Sequence, residues 1–190
     1  MKQGLNNKAA DDKAVNGKTV GKSSRNKAEK AARYGMLIAL AFIFSYIESL
    51  LPIPMPAPGM KLGLANIVTV VGLYTVGIPG TCTVSLIRII LVGLTFGNTF
   101  SMWYGLAGGG VSLVLMILCK STKWFSPVGV SVAGGAGHNI GQVLVAAFVV
   151  ENEGVLYYLP VLLIGGVLTG SVIGVVGGMI VMRTEKFFHR

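Results

Sequence analysis

The sequence predicts an all-α integral membrane protein built as a bundle of six transmembrane helices. Only 12% of its residues are charged, whereas an average soluble domain has about 25%. Six apolar stretches approach the roughly 20 residues that an α-helix needs to cross a bilayer. Several polar side chains lie inside these stretches, where they are costly unless they face a protein interior or an aqueous cavity. The chain is therefore expected to enclose a polar site within the membrane.

The amino end, residues 1–33, differs in kind from the rest of the chain. It holds nine of the 16 Lys and Arg residues and almost no large apolar side chains. Such a segment cannot bury enough surface to offset its ordering entropy, so we predict a disordered tail that becomes helical only near Ala28. A basic stretch before a hydrophobic helix favours contact with anionic membrane lipids. The charge is not spread over a folded face with interleaved aromatic residues, which argues against nucleic acid as a partner.

The apolar stretches define a membrane domain over residues 34–182, followed by a short tail over 183–190. A signal peptide is the competing interpretation of the first stretch, but no small-residue cleavage site follows it and more spans do. With six spans both termini lie on one side, and that side carries 14 of the 16 basic residues. The positive-inside rule places it in the cytoplasm. The six spans are predicted at about 34–51, 62–78, 81–95, 101–119, 128–150 and 155–182.

The first outer loop carries four alternating prolines between positions 52 and 58. They favour an extended, semi-rigid strap, which we expect to move as a lid between the first two spans. Lys61 and Asn66 follow it and open the second span. Because a helix amino terminus offers unpaired N–H groups and a positive dipole end, this pattern indicates an anion site. The alternative is that Lys61 only extends its ammonium to the membrane surface.

Polar residues in the middle of spans mark the predicted binding site. Arg88 lies within the third span, and His138, Asn139 and Gln142 lie within the fifth. His138 and Gln142 are four residues apart and therefore share one helical face. Intramembrane charges generally find a partner, and Glu48 in the first span is a candidate counter-ion for Arg88 or Lys61. A purely structural pair of Glu48 and Arg88 is the alternative to a ligand-binding role for the arginine.

Small residues recur every four positions in several spans. In the sixth span they are Gly166, Gly170, Gly174 and Gly178, and this spacing favours close packing of helices inside the bundle. A second stripe at the start of the first span consists of Ala31, Gly35 and Ala39. We expect it to dock an external helix of a partner protein, the alternative being packing within the bundle itself.

No catalytic constellation is visible in the sequence. It has no Walker A motif, no Asp-rich motif for magnesium and diphosphate, and no nucleophile with a recognisable base. The two cysteines, Cys82 and Cys119, fall near the cytoplasmic ends of their spans and lack metal-ligand spacing, so neither a disulfide nor a metal site is expected. The residues give no sign of a cofactor, and the chain is not expected to be an enzyme.

The chain carries four ordered motifs, namely Pro58 to Ile67, Arg88 to Leu91, Trp103 to Gly110 and Gly134 to Gln142. Together they resemble the bacterial Gx transporter family, whose members are often labelled heptaprenyl diphosphate synthase component I. The resemblance covers nearly all of residues 34–182 and implies a fold like the substrate-binding S components of energy-coupling factor (ECF) transporters in the bacterial cell membrane. It further implies a lid formed by the first outer loop, a transmembrane coupling protein and two ATPase subunits as partners, and docking through a small-residue face of the first helix.

Two functions therefore stand at this point. The first is a substrate-capture subunit of an importer, in which Lys61, Asn66, Arg88, His138, Asn139 and Gln142 bind a small polar or anionic solute. The second is a non-catalytic membrane component of polyprenyl diphosphate synthesis. A complete small channel is disfavoured by the hydrophobic strap. The family label of a synthase fits the residues less well. Elongation of a prenyl chain needs Asp-rich ligands for magnesium, and the available candidates, Asp11 and Asp12, lie in the predicted disordered tail.

Overall fold

The structure is a computed structural model that describes residues 2–51, 61, 63–151 and 153–188. Its regular elements in these ranges are all helical. Five helical segments are long and apolar enough to cross a membrane, so the chain is a multi-pass membrane protein. The helices are α1 (Lys2–Leu50), α2 (Asn66–Thr75), α3 (Gly77–Thr95), α4 (Thr99–Ser121), α5 (Pro127–Val150) and α6 (Leu159–Phe188), with a 3-10 helix at Glu153–Tyr158 before α6.

The chain divides into two compact units, Met1–Met36 and Leu37–Arg190. In the first unit the structure carries α1 back to Lys2, whereas the sequence predicted a disordered tail over 1–33 that becomes helical only near Ala28. Ala and Lys are good helix formers, and Glu29 accepts a hydrogen bond from Arg33 Nη2 at 2.5 Å one helical turn away, a pairing that supports an isolated helix. The side chains from residue 24 to residue 32 are exposed.

The second apolar stretch does not form the full span that the sequence predicted over 62–78. α2 has only ten residues. Gly63 has a φ of 95°, a left-handed conformation that stops the helix from starting earlier. At the other end Val76 closes α2 by donating to the Gly72 carbonyl at 2.9 Å, and Gly77, with a φ of 77°, turns the chain directly into α3. The described part of the chain thus has five long helices and one helix of half length.

The predicted glycine packing in the sixth span is confirmed by the contacts between α5 and α6. A Cβ at Gly170 would lie 2.8 Å from Val132 Cα, and one at Gly174 would lie 2.7 Å from Val128 Cα. Both distances are too short for a side chain, so the two backbones meet at these glycines. We call the contact along Gly170 and Gly174 the α5–α6 seam. A similar close approach joins α4 to α5 at Gly108 and Gly141.

The half-length helix α2 is held from its carboxyl end by a lysine of α4. Lys120 Nζ donates to the Leu73 carbonyl at 2.5 Å and lies 4.4 Å from the centre of the Tyr74 ring. A cation at this position satisfies a helix carbonyl that has no partner within the helix. Leu73 itself lies in a core that joins α2 to α4, α5 and α6, together with Val70, Met116, Val130 and Ile173.

Candidate functional site

A cavity opens among α1, α3, α4, α5 and the short segment before α2. The space amounts to about 400 Å³ when its open mouth is included. All of its lining residues belong to the second unit. They are Ser45, Glu48, Lys61, Gly63, Arg88, Ile89, Val92, Ser101, Tyr104, Gly105, His138 and Gln142.

Arg88 is the buried cation of this cavity, with only 8% of its surface exposed. Its Nη1 atom lies 3.4 Å from Ser45 Oγ, at the long limit for a hydrogen bond. Its Nε atom has no hydrogen-bond partner. Within the described side chains Arg88 forms no ion pair. The Arg88 side chain therefore lines the cavity with one buried donor, Nε, left unpaired.

Glu48 is almost fully buried beside the same cavity, with 6% exposure. The sequence offered it as a counter-ion, but its carboxylate accepts the backbone N–H of Gly63 and makes no direct ion pair with Arg88 or Lys61 among the residues that the structure covers. The charges of Lys61 and Arg88 nevertheless act on it. Glu48 therefore fixes the turn before α2 while it adds one negative charge to the cavity.

Lys61 is a half-buried cation on the segment between α1 and α2. Its backbone N–H donates to Gln142 Oε1 at 3.0 Å, and its Nζ atom lies 5.4 Å from the centre of the Phe96 ring. Burial lowers the pKa of the Lys61 ammonium below its ordinary value; the Glu48 charge raises that pKa and the Arg88 charge lowers it further. An anion bound nearby would favour the charged form of Lys61.

His138 and Gln142 supply the α5 side of the cavity, as their four-residue spacing predicted. Gln142 Nε2 and His138 Nε2 are 2.5 Å apart, and both side chains are almost fully buried. Gly63 lies directly against the imidazole, because a Cβ at Gly63 would be 3.1 Å from His138 Cδ2. Only glycine fits there, since the position also needs a positive φ. Gln142 thus links α5 to the chain at Lys61, before α2.

The two asparagines of the predicted set do not line the cavity. Asn139 Nδ2 donates to the Leu162 carbonyl of α6 at 2.5 Å, and Asn66 is buried at the start of α2. The predicted anion site at the α2 amino terminus is not formed either. The N–H groups of the first three α2 residues donate to the carbonyls of residues 63–65 at 2.9 to 3.2 Å, so a bound anion would find them occupied.

Sequence reasoning missed three polar residues of the cavity. Tyr104 is one of them; it is 2% exposed and lines the cavity. Ser45 and Ser101 line it as well. A serine or tyrosine in an apolar helix is too common to stand out. The signal that could have identified Tyr104 is its spacing from a glycine. It lies four residues before Gly108, where α4 approaches the His138 carbonyl.

The predicted docking stripe of α1 is exposed at each of its three positions, Ala31, Gly35 and Ala39. A Cβ at Gly35 would meet no atom within 4 Å. The segment from residue 52 to residue 60, which contains the predicted lid, lies outside the described residues. Cys82 and Cys119 are free thiols. The covered residues contain no group of three His, Cys, Asp or Glu side chains able to hold a metal ion.

The fold and the site define a multi-pass membrane protein with an S-component fold and a polar cavity. The chain is similar to a solved structure described as the S component of a bacterial ECF transporter, with 18% sequence identity and a TM-score of 0.67 over 86% of this chain and 99% of that one. The family model for heptaprenyl diphosphate synthase component I matches residues 37–180. The chain belongs to this family. No curated protein matches it.

Proposed function

We propose that this protein is the substrate-binding subunit of an ECF-type importer for a small polar or anionic solute. The observation that carries the proposal is the buried guanidinium of Arg88, which lines a cavity and keeps Nε without a partner. An intramembrane charge without compensation is costly. A ligand that neutralises it stabilises both the protein and the bound state.

The solute-binding residues in this proposal are Arg88, Lys61, His138 and Gln142, which all line the cavity. Glu48 supports them through its contact with the turn at Gly63. Asn139 and Asn66 belong to the surrounding packing rather than to the ligand contacts. These roles follow from the cavity geometry together with the likeness in fold to an S component.

A transmembrane coupling protein and two ATPase subunits complete the proposed importer, as the likeness in fold to the S component of an ECF transporter implies. In this proposal both termini lie in the cytoplasm, and the basic residues before α1 contact anionic lipid. The small-residue stripe at Ala31, Gly35 and Ala39 docks the coupling protein, since it is exposed and small residues allow close approach of a second helix.

The substitution Arg88→Ala tests the proposed binding role. We expect the variant to insert in the membrane and to lose retained ligand in native mass spectrometry, with a weakening of about tenfold to a hundredfold for one charge-assisted contact. The full chain should also co-purify with ATPase subunits. If Arg88→Ala aggregates and Glu48→Gln rescues it, the arginine is a structural partner of Glu48 and the proposal fails.

A second candidate function rests on the description of the family, which names a component of heptaprenyl diphosphate synthase. In that case the chain would be a non-catalytic membrane component that assists polyprenyl diphosphate synthesis. Affinity purification from membranes separates the two functions. Co-purification of a soluble prenyl transferase without ATPase subunits would favour this second role.

A further inference from the structure

An aromatic ring beside the cavity contacts one of its cations. The Nζ atom of Lys61 lies 5.4 Å from the centre of the Phe96 ring, within the range of a cation–π contact. Among the described side chains Lys61 forms no ion pair, and its ammonium lies over this ring instead. Lys61 lines the cavity, whereas Phe96 lies outside the described lining. A role of Phe96 at the site would therefore act through the lysine.

The position of the Phe96 ring is set by α3 and α1. Phe96 follows α3 directly, and its N–H donates at 3.3 Å to the carbonyl of Val92, a residue that lines the cavity. The ring packs edge to face with Phe42 and Tyr46 of α1, with ring centres 5.2 and 5.4 Å apart. Such pairs stabilise aromatic side chains beyond their apolar burial. Two helices thus hold the ring next to the cavity wall.

The backbone and the ammonium of Lys61 contact different helices. The Lys61 N–H donates to Gln142 Oε1 of α5 at 3.0 Å, while the Nζ atom lies over the ring at the end of α3. The side chain therefore runs from the α5 side of the cavity to the α3 side. A lysine has a flexible four-carbon stem and loses rotamer entropy when it is held in one position. A contact at the far end of the stem offsets part of that loss.

We propose that Phe96 is a positioning residue of the site, whose ring holds the Lys61 ammonium beside the cavity before a solute arrives. This inference rests on the proposed substrate-binding function and adds to it a residue that does not contact the solute. A cation that is held in advance avoids the cost of ordering the lysine during binding. Because the ring lies at the end of α3, the same contact ties the chain before α2 to that helix.

Acetylation of the full chain by acetic anhydride in detergent tests this contact without any added solute. Peptide mass spectrometry measures the rate at Lys61, which is divided by the rate at the exposed Lys123 of the same molecules. Phe96→Leu should raise this ratio by about twofold to tenfold, because the amine is no longer held over an aromatic face. Phe96→Tyr keeps such a face and should leave the ratio near that of the unchanged chain.

The matched control is Phe42→Leu, which removes a neighbouring ring of the same cluster and leaves the ring under the ammonium in place. Both leucine variants should lower the unfolding temperature, since each loses aromatic packing. Only Phe96→Leu should speed the acetylation of Lys61. A role of Phe96 in packing alone would instead give the two variants the same acetylation ratio.

A reciprocal measurement leaves the cluster of rings intact. With 4-fluorophenylalanine in place of Phe96, Lys61→Met should shift the fluorine resonance, because it removes the charge over the ring. Lys123→Met should leave that resonance where it is. This comparison decides the question if Phe96→Leu does not fold.

Four outcomes would each overturn the positioning role. They are an unchanged acetylation ratio in Phe96→Leu, an equal rise in Phe42→Leu, a rise in Phe96→Tyr as large as in Phe96→Leu, and a fluorine resonance that does not respond to Lys61→Met. The Arg88→Ala experiment tests solute binding separately. If the positioning role fails while Arg88→Ala loses its retained ligand, the binding subunit stands and only the role of Phe96 is wrong.

Discussion

Adjacent polar residues of α5 lie on two different faces of the helix, one at the cavity and one at the α5–α6 seam. His138 and Gln142 face the cavity, where space remains and Arg88 keeps a free donor. Asn139 faces the α5–α6 seam, where it donates to the Leu162 carbonyl and backbones meet at Gly170. A helix turns by about 100° per residue, so adjacent polar residues reach different neighbours. A polar residue in a membrane helix therefore indicates a ligand site only where the packing leaves room for a ligand.

The largest expected effect comes from filling the seam. Gly170→Leu places a side chain where even a Cβ would lie 2.8 Å from Val132 Cα. Because backbone atoms cannot move aside as flexible side chains do, we expect a loss of about 3 kcal/mol or more in unfolding free energy. Thermal unfolding in detergent measures it.

The matched control is Gly165→Leu on the same helix, because a Cβ at Gly165 meets no atom within 4 Å. This variant should unfold close to the temperature of the unchanged chain. Equal stability of the two variants would show that the seam is not the close backbone contact described above.

An intermediate effect separates the two faces of α5 directly. Asn139→Leu removes the hydrogen bond to Leu162 and should cost about 1 to 2 kcal/mol of unfolding free energy, while the folded fraction still retains its ligand. Gln142→Leu removes the acceptor of the Lys61 N–H and should accelerate ligand release by up to about tenfold. Native mass spectrometry and unfolding curves measure both properties. The comparison fails if Asn139→Leu loses the ligand and Gln142→Leu does not.

The smallest effect on stability is expected at an outward-facing glycine. Gly35→Leu adds a side chain in open space, so folding and ligand binding should stay unchanged. Co-purification with the coupling protein should be lost, because a leucine in the stripe prevents the close approach of a second helix. Gly110→Leu on α4 is the control, since that glycine is also exposed and without neighbours within 4 Å. Docking at this stripe is refuted if Gly35→Leu keeps the partner or unfolds.

The cavity residues that could be predicted are those whose polar side chains lie within an apolar stretch of sequence. Arg88, His138 and Gln142 stand out because they interrupt apolar stretches, and the structure brings all three to one cavity. Ser45 and Tyr104 were not predictable, because their burial depends on which helix packs beside them. The glycine spacing of α6 predicted close contact, but not which helix would supply it.

The second span shows why helix lengths were harder to predict. Its apolar stretch is long enough to suggest a helix that crosses the membrane, yet α2 begins only at Asn66. The cause is a non-local contact, since the Glu48 carboxylate binds the Gly63 N–H and fixes the chain in a turn before the helix. Hydropathy cannot report such a contact.

The depth of Arg88 has an electrical consequence for an anionic solute. Arg88 lies seven residues before the end of α3 at Thr95, which is about 10 Å at 1.5 Å per residue and about a third of the hydrocarbon thickness. An anion that enters from that end therefore crosses about a third of the membrane voltage. Each 100 mV would change its binding free energy by about 0.8 kcal/mol, so the affinity of the cavity in a cell depends on how strongly the membrane is energised.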